Sequence, residues 1–377
     1  MKILFCTNTF ENVLNGPAKF AGYLLELNRL DANVEIRILT EDIGIDSRHI
    51  DQAFIFRLHL ELNRFTKPWG FIYRMFPYYR ACRDIRRLFP FDVVIFNNAI
   101  TGIWSAIQLK TPVLGMINDD SSLGASIDNF QKSRKWFRHF IFRFMEKLAC
   151  YCMEGIIVNS RFLQNLVLKA YKPCPSKLHL LYKGVSIEGS PNFGKLDLQS
   201  PVSVLFVKSD FVRGGLNDLI TALGLLPEYN FELQIVGPGV QSKREIFSQN
   251  KYPNVHIDFI GPAPQTLIKA LMRQNDLFIV PSRQEAFGVA NLEALVSGIP
   301  VISTNVGGIP EVLNDGNNGW MVDPEKPEVL ANTIRYVIKN PTERLEKQKK
   351  GYAFVCQNFS KTAVLNRFLA TVNIYSL

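Results

Sequence analysis

"PSRQEAFGVANLEALVSGIPVISTNVGGIPE", residues 281 to 311, carries Glu285 and Glu293 eight positions apart, with Phe287-Gly288 between them. A strand-like run, Asp276 to Val280, leads into the stretch, and a second, Val301 to Thr304, lies within it. Short apolar runs punctuated by Gly and Pro read as buried strands, and Val289 to Val296 between them reads as a helix. Strand, loop, helix and strand in succession build a parallel sheet. One glutamate then stands on the way into the helix and the other inside it.

The same alternation extends in both directions. Upstream lie strand-like runs at Val202 to Val207, Phe231 to Val236 and Val255 to Ile260, with helical segments at Leu216 to Leu225 and Pro264 to Gln274. The first half repeats the pattern with Lys2 to Thr7, Val34 to Thr40, Phe91 to Asn97, Val113 to Ile117 and Gly155 to Asn159. A Gly16-Pro17 turn leads into a helix near Ala18 to Leu30, and Ser160 is placed as the N-cap of a later one. Between the halves, "GVSIEGSPNFGKLDLQSP" (184 to 201) breaks the pattern and reads as a linker. Downstream, "PEVLANTIRYVIKN" carries an apolar face at helical spacing. The expected fold class is α/β, with two Rossmann-like doubly wound parallel-sheet domains facing a cleft and C-terminal helices. The expected bounds are residues 1–188 and 189–360, with a C-terminal helix at 361–377 packing back towards the first domain. In such sheets ligands bind beyond the carboxyl ends of the strands, so the residues that follow strands are the ones to weigh.

Composition narrows the class. A chain of 377 residues suits two domains of about 150 to 200 residues each. No stretch approaches the roughly 20 apolar residues of a spanning helix, and the start, "MKILF", reads as a strand rather than a signal peptide. A cytoplasmic protein, with peripheral contact to the membrane's cytoplasmic face, is expected. The six cysteines show no zinc spacing, no Asp-x-Asp occurs, and no metal or cofactor is expected. The net charge of +9 is uneven: residues 1 to 190 hold 25 Lys and Arg against 17 Asp and Glu, and residues 191 to 377 hold 18 against 17. An anionic partner is therefore expected on the first half.

The quoted stretch, read as Pro281-Ser282-x2-Glu285-x-Phe287-Gly288-x4-Glu293-Ala294 and followed by Gly298-x-Pro300-Val301 and Gly307-Gly308-x-Pro310-Glu311, resembles the retaining nucleotide-sugar glycosyltransferases of family 4. These have the two-domain GT-B architecture and an E-x7-E motif. Leu233 to Gly239, Asn254 to Gly261 and Arg213-Gly214-Gly215 resemble further family segments, the last with arginine where the family has lysine. "VNS" at 158 to 160 and "LYKGVSI" at 181 to 187 fall where the family has their counterparts. The resemblance implies an acceptor-side first domain and a donor-binding second domain.

It also implies roles. Glu293 would hold the ribose diol, which two carboxylate oxygens suit, and Glu285 would reach hydroxyls of the donor sugar. Backbone N–H groups of Phe287, Gly288 and Val289 open a helix and suit a diphosphate. Lys208 and Arg213, in the loop after a strand, would meet the charge on the leaving group. Gly237 ends a strand on the donor side. Gly16 stands in a turn after the first strand, although Pro17 removes a neighbouring N–H, and Lys19 is a weaker candidate beside it. Asn118 occupies the place of a family histidine that touches the donor sugar, and Asp119 follows it. The retaining outcome and the donor come from the resemblance alone.

"FIYRMFPYYRACRDIRRLFP" (71 to 90) and "QKSRKWFRHFIFRFMEKLA" (131 to 149) interleave cations with aromatic rings. Three readings stay open: an anionic membrane surface, nucleic acid, and core packing with solvated cations. The expected partners are a nucleotide-sugar donor, a sugar or lipid-linked acceptor and an anionic membrane surface, with no nucleic acid. The leading function is transfer of a sugar in cell-surface polysaccharide or glycolipid synthesis. The alternatives are a nucleotide-sugar epimerase of the same fold, a phosphorylase, or a catalytically degenerate partner subunit.

Overall fold

The computed structural model describes residues 1–8, 10, 16–41, 52–60, 69–120, 123, 136–194, 197–238 and 252–375. The chain divides into two units, Met1–Lys183 with Val364–Leu377, and Gly184–Ala363. Each is built on one parallel sheet.

The first unit runs β1 (Lys2–Thr7), α1 (Gly16–Leu30), β2 (Glu35–Thr40), β3 (Ile55–Arg57), α2 (Gly70–Tyr73), α3 (Met75–Leu88), β4 (Val93–Phe96), α4 (Ala99–Gln108), β5 (Val113–Ile117), α5 (Trp136–Cys152), β6 (Gly155–Val158), α6 (Arg161–Tyr171) and β7 (Leu178–Leu180). Its strand order is β3-β2-β1-β4-β5-β6-β7, so successive strands build outward on one side of β1 and then the other. Every residue of β4, β5 and β6 is buried, as expected of parallel strands covered by helices on both faces. One face packs Leu4, Val94 and Phe96 against Tyr78 of α3, Ile103 of α4 and Ala149 of α5. The other packs Ile3, Phe5 and Ile95 against Phe20 and Leu24 of α1, and against Phe368 near the chain's end. Ser160 caps α6 by accepting the Leu163 N–H at 3.0 Å.

The second unit runs β8 (Val202–Val207), α7 (Leu216–Gly224), β9 (Phe231–Val236), β10 (Val255–Gly261), α8 (Gln265–Gln274), β11 (Leu277–Val280), α9 (Val289–Ser297), β12 (Val301–Thr304), α10 (Ile309–Val312), β13 (Trp320–Val322), α11 (Pro327–Lys339) and α12 (Pro341–Asn358), and the last helix, α13 (Lys361–Asn373), belongs from Val364 onward to the first unit. Its order, β10-β9-β8-β11-β12-β13, reverses between β8 and β11.

The long strands fall where the apolar runs put them. The sequence reading missed β3, β7 and β13. Each is three residues long, too short for a periodic signal. Helix α1 begins at Gly16 itself, taking in the dipeptide read as a turn. Residues 131 to 135 of the second basic segment, and Gly239, lie outside the described residues.

Candidate functional site

The candidates of the second unit lie in the segments that follow β8, β9 and β11. Lys208 follows β8 and Glu285 lies five residues beyond β11, on either side of the strand-order reversal. The two form an ion pair in which Lys208 Nζ donates to Glu285 Oε2, and the same ammonium lies 3.2 Å from Ser282 Oγ. The other carboxylate oxygen, Oε1, accepts the Phe287 N–H at 3.3 Å. Glu285 thus spans the gap between the loop after β8 and the start of α9.

Supporting bonds fix these loops. Thr304 Oγ1 donates to Ser282 O at 2.6 Å, Ser303 Oγ to Val280 O at 2.8 Å, and the Arg283 N–H to Arg213 O at 2.7 Å. Two glycines permit the packing. A Cβ on Gly307 would lie 1.5 Å from Glu285 O, and one on Gly237 would lie 1.9 Å from Lys208 O. Only a residue without a Cβ lets these backbones meet.

Phe287 is buried, its ring 5.8 Å from that of Phe359, which anchors the loop ahead of α9. Gly288 caps the helix in the left-handed conformation, at φ +102°. Val289 begins the helix, and the half-buried Glu293 sits at its middle. The Phe287 N–H is taken by Glu285, and that of Gly237 by Gly261 O at 2.9 Å. Gly237 therefore contributes close packing behind Lys208. Arg213 is exposed and lies 4.0 Å from Asp210. Its neighbour Arg283 grips Asp218 through two bonds of 3.0 and 2.8 Å. That bond outweighs the lowering effect of burial and holds the guanidinium's pKa above its usual range.

In the first unit Asn118 is a hub. Its Nδ2 donates to Asn97 O at 2.8 Å and to Asn97 Oδ1 at 3.1 Å, while its Oδ1 accepts from Lys183 Nζ at 2.6 Å. Asn159 Nδ2 donates to Asn118 O at 2.9 Å, and Asn97 Nδ2 to Thr7 Oγ1 at 3.1 Å. Lys183 is buried, 5.6 Å from the centre of the Phe20 ring, and burial pushes its ammonium down to about 8. Asp119 is exposed. Gly16 opens α1, and the side-chain surroundings of Gly16 and Lys19 lie outside the described residues.

The sequence reading gives no site role to Ser282, Thr304, Gly307, Thr7, Asn97, Asn159 or Lys183, although Ser282, Gly307, Asn159 and Lys183 lie in the segments that carry the resemblance. A signal existed for two of them: Asn97 and Asn159, like the candidate Asn118, are each the first residue after an all-apolar strand. Among the described residues no group of three His, Cys, Asp or Glu is arranged to hold a metal ion.

Two family models match in succession, "Glycosyltransferase Family 4" over residues 26–188 and "Glycosyl transferases group 1" over residues 192–353. An uncharacterised glycosyltransferase of Methanocaldococcus jannaschii is 28% identical over 217 residues, 56% of this chain and 57% of that protein. Alignments to the first curated relatives span about half to two thirds of those proteins' length (67%, 57% and 54%). The fold is similar to that of sucrose-phosphate synthase from Thermosynechococcus elongatus, with TM-score 0.79 and 17% identity over 100% of this chain and 99% of that one. It is similar also to Anabaena HepE in complex with UDP-glucose, with TM-score 0.75 and 20% identity over 99% of both chains. At these identities the structural matches speak for the fold. With both domain models matched in order on two parallel-sheet units, the chain belongs to glycosyltransferase family 4, of the GT-B fold.

Proposed function

We propose that the chain moves a sugar from a nucleotide-diphosphate donor to a sugar or lipid-linked acceptor, with retention at the anomeric carbon, in surface polysaccharide or glycolipid synthesis. The observation that carries this reading is the Lys208–Glu285 pair at the reversal point of the second sheet, directly ahead of the N-terminus of α9. Ligands of open parallel sheets bind at such a point, and a helix N-terminus favours a diphosphate.

In this reading Glu285 takes the hydroxyls of the donor sugar and Glu293 the ribose diol. The N–H groups of Gly288 and Val289 face the diphosphate. The bond from the anomeric carbon to the phosphate oxygen breaks as the acceptor oxygen bonds to that carbon on the same face. The departing phosphate oxygen accepts the acceptor's proton. Lys208, Arg213 and the helix dipole meet the released charge, rather than a divalent ion. The HepE complex makes UDP-glucose the first donor to try.

A second reading, a catalytically silent partner subunit, draws on Asn118, whose amide is engaged at both ends inside the first unit. Calorimetry with UDP-, GDP- and ADP-sugars tests both. One donor is expected to bind, with Glu293→Ala weakening it at least about tenfold. Binding without turnover on any oligosaccharide or lipid-linked acceptor would favour the silent subunit. Failure of every sugar nucleotide to bind would overturn the reading.

A further inference from the structure

The aromatic and cationic segments of the first unit do not share one fate. Tyr78, Phe89 and Phe91 are buried in the core. On α3, Met75, Tyr78, Cys82 and Ile85 face inward, leaving Phe76 48% exposed on the outer side with Arg80, Arg83 and Arg87. Helix α4 packs against both α3 and α5, and its outer side shows Trp104 and Ile107. On α5, Phe137, Phe140 and Phe144 are 58%, 57% and 57% exposed. A spacing of three and then four residues sets those rings on one side of the helix. The exposed rings of Phe76 and Trp104, on neighbouring helices, meet edge to face at 6.4 Å, and the half-buried Trp69, just ahead of α2, meets Phe137 at 6.3 Å.

Charge completes the pattern. Helices α3, α4 and α5 hold seven Lys and Arg (Arg80, Arg83, Arg86, Arg87, Arg138, Arg143, Lys147) against two carboxylates, Asp84 and Glu146. Asp84 pairs with Arg83 at 3.1 Å, and Glu146 is buried, accepting the Tyr171 hydroxyl at 2.6 Å. The exposed charge is almost wholly positive and lies among rings that water solvates poorly.

We infer that the outer face of α3, α4 and α5 docks on an anionic lipid bilayer, with Phe76, Trp104, Phe137, Phe140 and Phe144 entering the headgroup boundary and the arginines pairing with lipid phosphates. Such a face combines the two attractions that hold a peripheral protein, apolar insertion and headgroup charge. A second copy fits it less well, because seven cations would meet seven across the contact. Among the described residues no helix is long and apolar enough to cross a membrane, so contact is made from the surface. The inference stands apart from the proposed transfer reaction, although a lipid-linked acceptor would give it a use.

The test is co-sedimentation of the full chain with phosphatidylcholine vesicles, with and without phosphatidylglycerol. Binding is expected only with the anionic lipid and should weaken about tenfold or more from low to high salt. The triple variant Phe137→Ser, Phe140→Ser, Phe144→Ser should lose at least about tenfold in vesicle affinity. Its melting temperature should stay near that of the parent, because these side chains are already exposed. Vesicles should also blue-shift the fluorescence that Trp104→Phe removes. No binding to anionic vesicles, or full binding by the triple variant, would overturn the inference. So would a dimer in analytical ultracentrifugation that the triple substitution dissociates, since the face would then belong to a second copy.

Discussion

Lys208 and Glu285, 77 positions apart, form an ion pair that ties the loop after β8 to the loop before α9. Their side chains are 15% and 24% exposed, shielded enough for charge to matter and open enough to receive a ligand. Lys208→Met would leave the carboxylate without its ammonium. Turnover is expected to fall about a hundredfold, the scale of losing one preorganised charge at a reacting centre. A double-mutant cycle with Glu285→Gln, read by chemical denaturation, should give a coupling of about 1 to 3 kcal/mol. Strictly additive effects would show that the pair is not a working contact.

Gly307 lies directly behind Glu285, at φ +60°, where a Cβ would fall 1.5 Å from Glu285 O. Gly316 has a similar conformation, φ +89°, but its Cβ would meet nothing nearer than Met321 Cε at 3.7 Å. Gly316→Ala should therefore cost only the backbone term, about 1 to 2 kcal/mol. Gly307→Ala adds displacement of the Glu285 backbone, so it should cost more and also abolish donor binding in calorimetry. Equal melting temperatures for the two variants, with donor binding intact, would refute the packing argument.

These residues show what could be read from the chain and what could not. Strands of four to seven residues were legible because buried parallel strands are continuous apolar runs. The loop from Pro281 to Gly288 was legible because its glycine and its acidic and small residues fall between two such runs. That Lys208 and Glu285 would pair was not, since only the strand-order reversal sets β8 beside β11. Nor was the cluster of Thr7, Asn97, Asn118, Asn159 and Lys183, whose members come from the ends of five strands. Composition left the aromatic segments of α3 and α5 open between core and surface. Helix phase decides that, and it buries Tyr78 while exposing Phe76.

Arg344, in the first turn of α12, is almost fully buried, and its guanidinium reaches back to the end of α11. There its Nη1 donates to Val337 O at 2.8 Å and Ile338 O at 3.1 Å, carbonyls that the helix itself leaves unsatisfied. Arg344→Met retains much of the packing but loses both bonds. A destabilisation of about 2 to 3 kcal/mol is expected, and Arg344→Lys should recover only part of it. Urea denaturation measures both, and a neutral Arg344→Met would mean that water serves those carbonyls equally well.

Lys183 makes a prediction about pH. Burial lowers its folded-state value to about 8, against an ordinary 10.5 in the unfolded chain. Below pH 8 both states carry the proton, and the folded state bears the full cost of a buried ammonium. Between about pH 8 and 10.5 the unfolded chain binds more protons than the folded one, so this group's contribution to stability rises with pH. Cys6, Cys150 and Tyr78 act in the opposite sense: burial raises each, Cys150 to about 12, so the unfolded chain loses protons first and stability falls. The total need not rise, and the informative quantity is the difference between the parent and Lys183→Met. That difference should shift in the parent's favour by about 2 to 4 kcal/mol between pH 7.5 and 10.5. Denaturation across this range reads it directly. A difference flat with pH would mean that Lys183 keeps an ordinary proton affinity, and that its bond to Asn118 Oδ1 offsets the burial.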